Sequence, residues 1–185
     1  MTAKSTLLIP LAALCVIPAE YAAPAVCQQG SLDGTRVLKS NCGDGTCGKY
    51  QVGSGGTDLG FGESLPDTFY FEFYSPDGIN PPATGTFNLG SGSNTNYSIC
   101  EQCILVYQDF FAGSAQKIFF QIGGSITIDA NTIPGTANVG LSWSNVTLAE
   151  VTINPDTNMS TLVQDGACYT ITAGDQIFHN GFEAP

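Results

Sequence analysis

Residues 67–75, "DTFYFEFYS", decide the fold class. Successive side chains of an extended chain point to opposite faces, so Phe69, Phe71 and Phe73 share one side, and Thr68, Tyr70, Glu72 and Tyr74 share the other. That is a strand with one buried face. Its neighbours read the same way: "ATGTFNLG", "CILVYQDFF", "KIFFQI", "SITIDA", "NVGLSWS", "NVTLAEVTI" and "ACYTITA" follow, divided by Gly, Pro, Asn or Asp clusters at hairpin spacing. Two earlier runs, "TRVLKS" and "KYQVG", bring the expectation to about nine or ten strands, and hardly any segment has a helical period. Two packed antiparallel sheets would bury one face of every strand, so the expected fold is an all-β, jelly-roll-like β-sandwich; a closed barrel is the alternative. The longest glycine-rich stretch, "VGSGGTDLGFGESLPD" (52–67), reads as a mobile surface loop.

Outside this core the two ends read differently. Lys4, the apolar run "TLLIPLAALCVI" and the small-x-small triplet Ala23-Pro24-Ala25 read as a signal peptide over residues 1–25, cleaved after Ala25. The apolar run is too short to span a bilayer, and Pro10 and Pro18 interrupt it. No later stretch is long and apolar enough to cross a membrane, so the mature chain is expected to be secreted or held at the cell surface. The mature part divides into one domain, 26–173, and a C-terminal tail, 174–185.

The formal net charge is −11. Arg36, Lys39, Lys49 and Lys117 are the cations left after the signal, too few and too scattered to displace counterions from nucleic acid or an anionic membrane. An extracellular glycan or a surface protein is the expected kind of partner.

Six cysteines remain after the signal: Cys27, Cys42, Cys47, Cys100, Cys103 and Cys168. An even number in an exported chain reads as disulfides, although sequence leaves fifteen pairings open. Cys100-Glu101-Gln102-Cys103 poses the sharpest choice. In a straight strand its ends would lie about 10 Å apart, beyond the roughly 7 Å between Cα atoms that a bridge tolerates, so a Cys100–Cys103 bond requires a turn. A thioredoxin-like redox site would need a helix N-terminus after the pair, and Ile104-Leu105-Val106-Tyr107 reads as a strand instead. A zinc site drawn from Cys42, Cys47, Cys100 and Cys103 competes with oxidised pairing, and the preferred arrangement is Cys42–Cys47, Cys100–Cys103 and Cys27–Cys168. No metal and no cofactor is expected.

Catalytic candidates are few. The single histidine, His179, falls seven residues from the end and outside the strand pattern, a poor position for a Ser-His-Asp or Cys-His arrangement. A glycosidase pair would have to come from Glu63, Glu72, Glu101, Glu150 or Asp109. "NCGDGTC" and "SPDGIN" offer oxygens for calcium, but neither has the spacing of an EF-hand loop, and turn formation explains both. Asn96, Asn145 and Asn158 head glycosylation tripeptides, meaningful only in a host with that machinery. Candidate binding residues are Tyr70, Glu72 and Tyr74 on the less apolar face of their strand, and Trp143, which shares a face with Val139 and Leu141 and reads first as core.

Two resemblances add to this. Asp175, Ile177, Phe178, Gly181, Phe182 and Glu183 in "DQIFHNGFEAP" resemble the D-x-I-F-x-x-G-F-E tails that end many otherwise unrelated exported proteins of certain Gram-negative bacteria. The resemblance implies a bacterial, surface-sorted protein whose tail is an address; Ala184-Pro185 extends past the pattern. Roughly residues 67–172, with "NYSICEQCI" at the centre and "LSWSNVTLAEV" beyond it, are similar to uncharacterised secreted bacterial domains. That similarity implies a fold and a compartment and brings no catalytic residue. The expected role is therefore a structural or recognition module at the bacterial surface, with a carbohydrate-binding module as the alternative and a glycan-acting enzyme as the third.

Overall fold

The computed structural model describes residues 26–32, 37–41, 49–62, 65–74, 83–129 and 138–179, several strand segments by backbone alone. Ten strands occur among them: β1 (Gln28–Gln29), β2 (Val37–Asn41), β3 (Lys49–Thr57), β4 (Asp67–Tyr74), β5 (Gly85–Asn88), β6 (Gln102–Gln108), β7 (Lys117–Ile128), β8 (Asn138–Ile153), β9 (Ser160–Leu162) and β10 (Cys168–His179). Two short 3-10 turns, Gly92–Thr95 and Tyr97–Ile99, precede β6. The order across the sheet is β1-β10-β8-β7-β6-β4-β3-β2, with β5 added to β7 and β9 to β8. Every pairing is antiparallel except that of β1 with β10. The chain is all-β, as its alternation predicts, and disulfide-stapled, as its cysteine count predicts.

The two layers come from one continuous sheet that folds over itself. β4 and β8 are three places apart in the order, a lateral distance of about 14 Å if the sheet were flat. Yet the rings of Phe71 on β4 and Trp143 on β8 lie 5.4 Å apart. The fold line is visible in β7 and β8, whose register shifts around Gly123. Gly124 has φ +94°, and a Cβ there would stand 2.5 Å from the Asn145 carbonyl oxygen and 2.6 Å from the Val146 Cα. Asn145 opposite also has positive φ, 50°. Paired bulges of this kind bend and twist strands without ending them. For that reason "KIFFQI" and "SITIDA" form one strand, as do "NVGLSWS" and "NVTLAEVTI", while β1 and β9 supply short strands that no alternation announced.

Inside the fold lie Phe69, Phe71 and Phe73 with Ile104, Val106, Phe119, Trp143, Leu148 and Tyr169, all buried. Each phenylalanine of the β4 stripe contributes roughly 2 to 3 kcal/mol by leaving water. Leu59 and Phe61 join this core at 4% and 0% exposure, which corrects the expectation of a mobile loop over 52–67. Its first part continues β3 to Thr57, and two of the apolar residues that follow plug the end of the core. A smaller core lies on the outer face, where Cys100, Cys103, Leu105, Phe120 and Val151 pack with Tyr74, Tyr97 and Tyr107. β6 is therefore buried on both faces along most of its length.

β10 continues through Gly174–His179, paired with β8 as far as His179 opposite Asn138, so the first half of the tail stretch is strand. Residues 1–25, Cys42, Cys47, the calcium-loop candidates "NCGDGTC" and "SPDGIN" except Asn41, and the end of the tail lie outside the described residues. No helix among the described residues is long and apolar enough to cross a membrane.

Candidate functional site

Two bridges are formed among the described residues. Cys27–Cys168 joins β1 to the start of β10 with Cα atoms 4.7 Å apart, and Cys100–Cys103 closes the turn before β6 with Cα atoms 5.8 Å apart. The required turn is held by a buried polar knot. Asn94 Oδ1 accepts from the backbone N–H groups of Glu101 (3.2 Å) and Gln102 (3.0 Å), while its Nδ2 donates to Asn88 O and Gln102 Oε1. Gln121 on β7 donates to the carbonyls of Gln102 (2.7 Å) and Asn94 (3.1 Å) and accepts from the Ile104 N–H (2.6 Å). β6 and β7 part company at this point, and one glutamine side chain takes over the bonds that the ladder gives up. Among the described residues no group of three or more His, Cys, Asp or Glu is placed to hold a metal ion.

Tyr70, Glu72 and Tyr74 share the outer face of β4, but not as an open row. Glu72 is 3% exposed. Its Oε2 accepts from the hydroxyls of Tyr74 (2.7 Å) and of Tyr97 (2.9 Å), the latter carried by the second 3-10 turn. Burial, then hydrogen bonding to and the charge of Glu72, push the Tyr74 phenol far above its ordinary value, and burial followed by the Glu72 charge does the same at Tyr97. Tyr107 on β6 is pushed up to about 12, by burial first and then by Glu72 and Tyr70. Tyr70 stacks edge-on with Tyr107 at 5.7 Å and lies over Gly53 of β3, where a Cβ would stand 2.6 Å from its ring. Trp143 is at 4% exposure on the inner face, away from these residues, with its indole N–H buried and unpartnered among the described residues.

A cleft of about 470 Å³ opens beside this tyrosine–carboxylate knot, between Tyr74, the segment 97–101 and Asn158 in the β8–β9 turn. Asn96 anchors the segment to β9 by pairing its amide with both backbone groups of Ser160. Tyr97, Glu101 and Asn158 complete the site, yet alternation could not find them because they come from turns. "NYS" pointed at Asn96 for another reason.

An acidic pair lies at the other end of β4. Asp67, fully buried, accepts from the N–H groups of Leu59 (2.9 Å), Phe61 (3.3 Å) and Asp109 (3.0 Å). Asp109 is 3% exposed with φ 50°, and its Oδ1 is buried and unpartnered among the described residues. Burial raises the Asp67 pKa; the three N–H groups oppose this and the Asp109 charge adds to it. Glu150 on β8 pairs with Lys117 of β7 at 2.7 Å. His179 closes β10, and its side chain is outside the described residues. No protein-family model, no curated protein and no solved structure matches this chain.

Proposed function

We propose that the mature chain is an exported, disulfide-stapled recognition module of the bacterial surface, using its side chains for binding and not for chemistry. The observation that carries this reading is the state of Glu72: its buried carboxylate accepts hydrogen bonds from two phenols and serves to hold the segment 97–101 against β4, leaving an open cleft above. The leader-like residues 1–25 and the tail resemblance support export, and the two bridges agree with an oxidising compartment. On this reading Cys42 and Cys47 form the third bridge.

The alternative, a carbohydrate-binding module, keeps Tyr74 and gains Tyr97, Glu101 and Asn158, which share the cleft, while Trp143 belongs to the core. A glycan-acting enzyme would need two carboxylates about 5 to 10 Å apart facing one cleft. Glu101 lines this cleft, whereas Glu72 is enclosed and engaged with the phenols.

The test is fractionation of a producing bacterium with intact-mass analysis of the recovered chain before and after reduction. A product beginning at Val26, found at the surface or in the medium and carrying three bridges, is expected. Cytoplasmic retention with residues 1–25 still attached would refute the reading.

A further inference from the structure

Of the three glycosylation tripeptides, one lies where a folded chain can offer it. The asparagine of such a tripeptide must present a free side-chain amide, and its segment must leave the surface to enter a transferase groove. Asn96 fails on the first count: its Nδ2 donates to Ser160 O at 2.8 Å, and its Oδ1 accepts from the Ser98 N–H and hydroxyl and from the Ser160 N–H. Asn145 fails on the second. It lies within β8 at the fold line, with β7 paired on one side and β10 on the other, and Val146 beside it is fully buried.

Asn158 meets both requirements. Its side-chain amide makes no hydrogen bond among the described residues and lines the open cleft beside Tyr74 and Ile99. Residues 154–159 are all exposed, and their turn is closed by bonds among themselves: Asn154 N–H to Met159 O, Asn158 N–H to Asn154 O, and the N–H groups of Asp156 and Thr157 to Asn154 Oδ1. The turn can therefore open locally without breaking a ladder. Opening as far as Ser160 gives up the end pair of three-residue β9 with Ile153 and the bonds to Asn96 and Tyr97.

The sequence adds two features. Ser160 completes the tripeptide, and its hydroxyl, which accepts from the Tyr97 N–H, keeps its own proton to donate. Asp156 stands two residues before Asn158, whereas Asn94 and Trp143 hold that place before Asn96 and Asn145. Bacterial transferases that act on exported chains select a carboxylate there, an exposed charge that a basic groove can grip.

We infer that Asn158 is an N-glycan acceptor of the folded chain. The donor is an oligosaccharide on a polyisoprenyl diphosphate. Asn158 Nδ2 bonds to C1 of the first sugar, the bond from C1 to the diphosphate oxygen breaks with its electrons going to that oxygen, and the amide proton passes to a base of the transferase. The attached sugar stands at the mouth of the cleft, where Ile99 and Met159 are 60% and 52% exposed. The inference rests on the export part of the recognition reading, because the donor is used outside the cytoplasm.

The test incubates the mature, oxidised protein with this donor and either of two purified oligosaccharyltransferases, one that demands the acid and one that does not, and locates the sugar by peptide mass. One glycan per chain, on Asn158, is expected from both enzymes, and none on Asn158→Gln. Asp156→Asn, an exposed change, should slow the first enzyme about tenfold and leave the second unaffected. With the reduced, alkylated and unfolded chain, the second enzyme should reach Asn96 and Asn145 as well. No transfer to the folded chain, transfer to Asn96 or Asn145 as readily as to Asn158, or an unchanged rate for Asp156→Asn with the first enzyme would overturn the inference. The chain recovered from its producing bacterium should carry the sugar on the same peptide. An exported chain with Asn158 bare refutes the glycan and leaves the export reading standing, whereas cytoplasmic retention refutes both.

Discussion

A carboxylate at 3% exposure is tolerated when donors surround it, and Glu72 has two phenols. Tyr97→Phe removes one donor and is expected to cost roughly 1 to 3 kcal/mol, read from denaturant midpoints. Phenols held above their ordinary value favour the protonated fold, so their stabilising contribution is complete below about pH 10 and is lost as pH rises past it. Phenolate absorbance should therefore lag behind that of free tyrosine until alkaline unfolding, and Glu72→Gln should bring the Tyr107 titration down from about 12. Asp67 gives a dependence in acid by the same logic. Its raised pKa makes the folded state the better proton binder, so stability falls as pH climbs from about 4, the unfolded value, through the raised folded value. Asp109→Asn removes one contribution to that rise, and Asn tolerates the positive φ at 109, so the slope of stability against pH should shrink in this variant. Glu150 acts in the opposite sense. Burial raises its pKa, but the bond from Lys117 and the Ala167 N–H outweigh burial and hold it low, so its contribution is present above about 4.5 and fades in stronger acid. Glu72 was visible in the sequence as one of four alternating polar positions. That it is a buried knot was not, because Tyr97 lies 25 residues away in a turn that no periodicity marks.

At the scale of elements, alternation located β4, β6 and both halves of β7 and β8, because each has an inward stripe that only an extended chain can bury. It failed at the bulges. A Gly-Gly pair at 123–124 and an Asn at 145 are ordinary punctuation between strands, and whether they end a strand or bend it depends on a partner that sequence does not show. The two glycines make a controlled comparison. A Cβ at Gly123 meets nothing within 4 Å, whereas at Gly124 it would enter the β8 backbone from a φ of +94°. Gly124→Ala is expected to cost at least about 3 kcal/mol or to prevent folding, and Gly123→Ala less than about 1 kcal/mol. Equal melting temperatures for the two variants would mean that the fold line does not need its glycine. Leu59 and Phe61 were missed for a related reason: the glycines around them gave them the look of a loop, and Phe61 packs on the distant Phe119 and Tyr169 rings.

At the scale of the molecule, the bridges Cys27–Cys168 and Cys100–Cys103 were legible, since an even cysteine number is a matter of counting. The single folded-over sheet was not, because it is set by contacts such as Phe71 with Trp143 between strands far apart in sequence. The same long reach sets the energetics of the two bridges. Cys27–Cys168 spans 141 residues and pins β1, which pairs with only two residues of β10, to the sheet. Cys100–Cys103 spans three. If bridges act by restricting the unfolded chain, losing the long one costs roughly 5 kcal/mol and losing the short one about 2. The short bridge, however, lies inside the outer core, where Cys103 is fully buried and Cys100 nearly so, against the Asn94–Gln102–Gln121 knot. Replacing both cysteines of each bridge by serine and comparing urea midpoints separates the two mechanisms. A larger loss for the Cys27/Cys168 pair is expected, with the turn before β6 held by its amide knot when its bridge is absent. A larger loss for Cys100/Cys103 would show that native packing of the outer core, and not chain entropy, is what that bridge supplies.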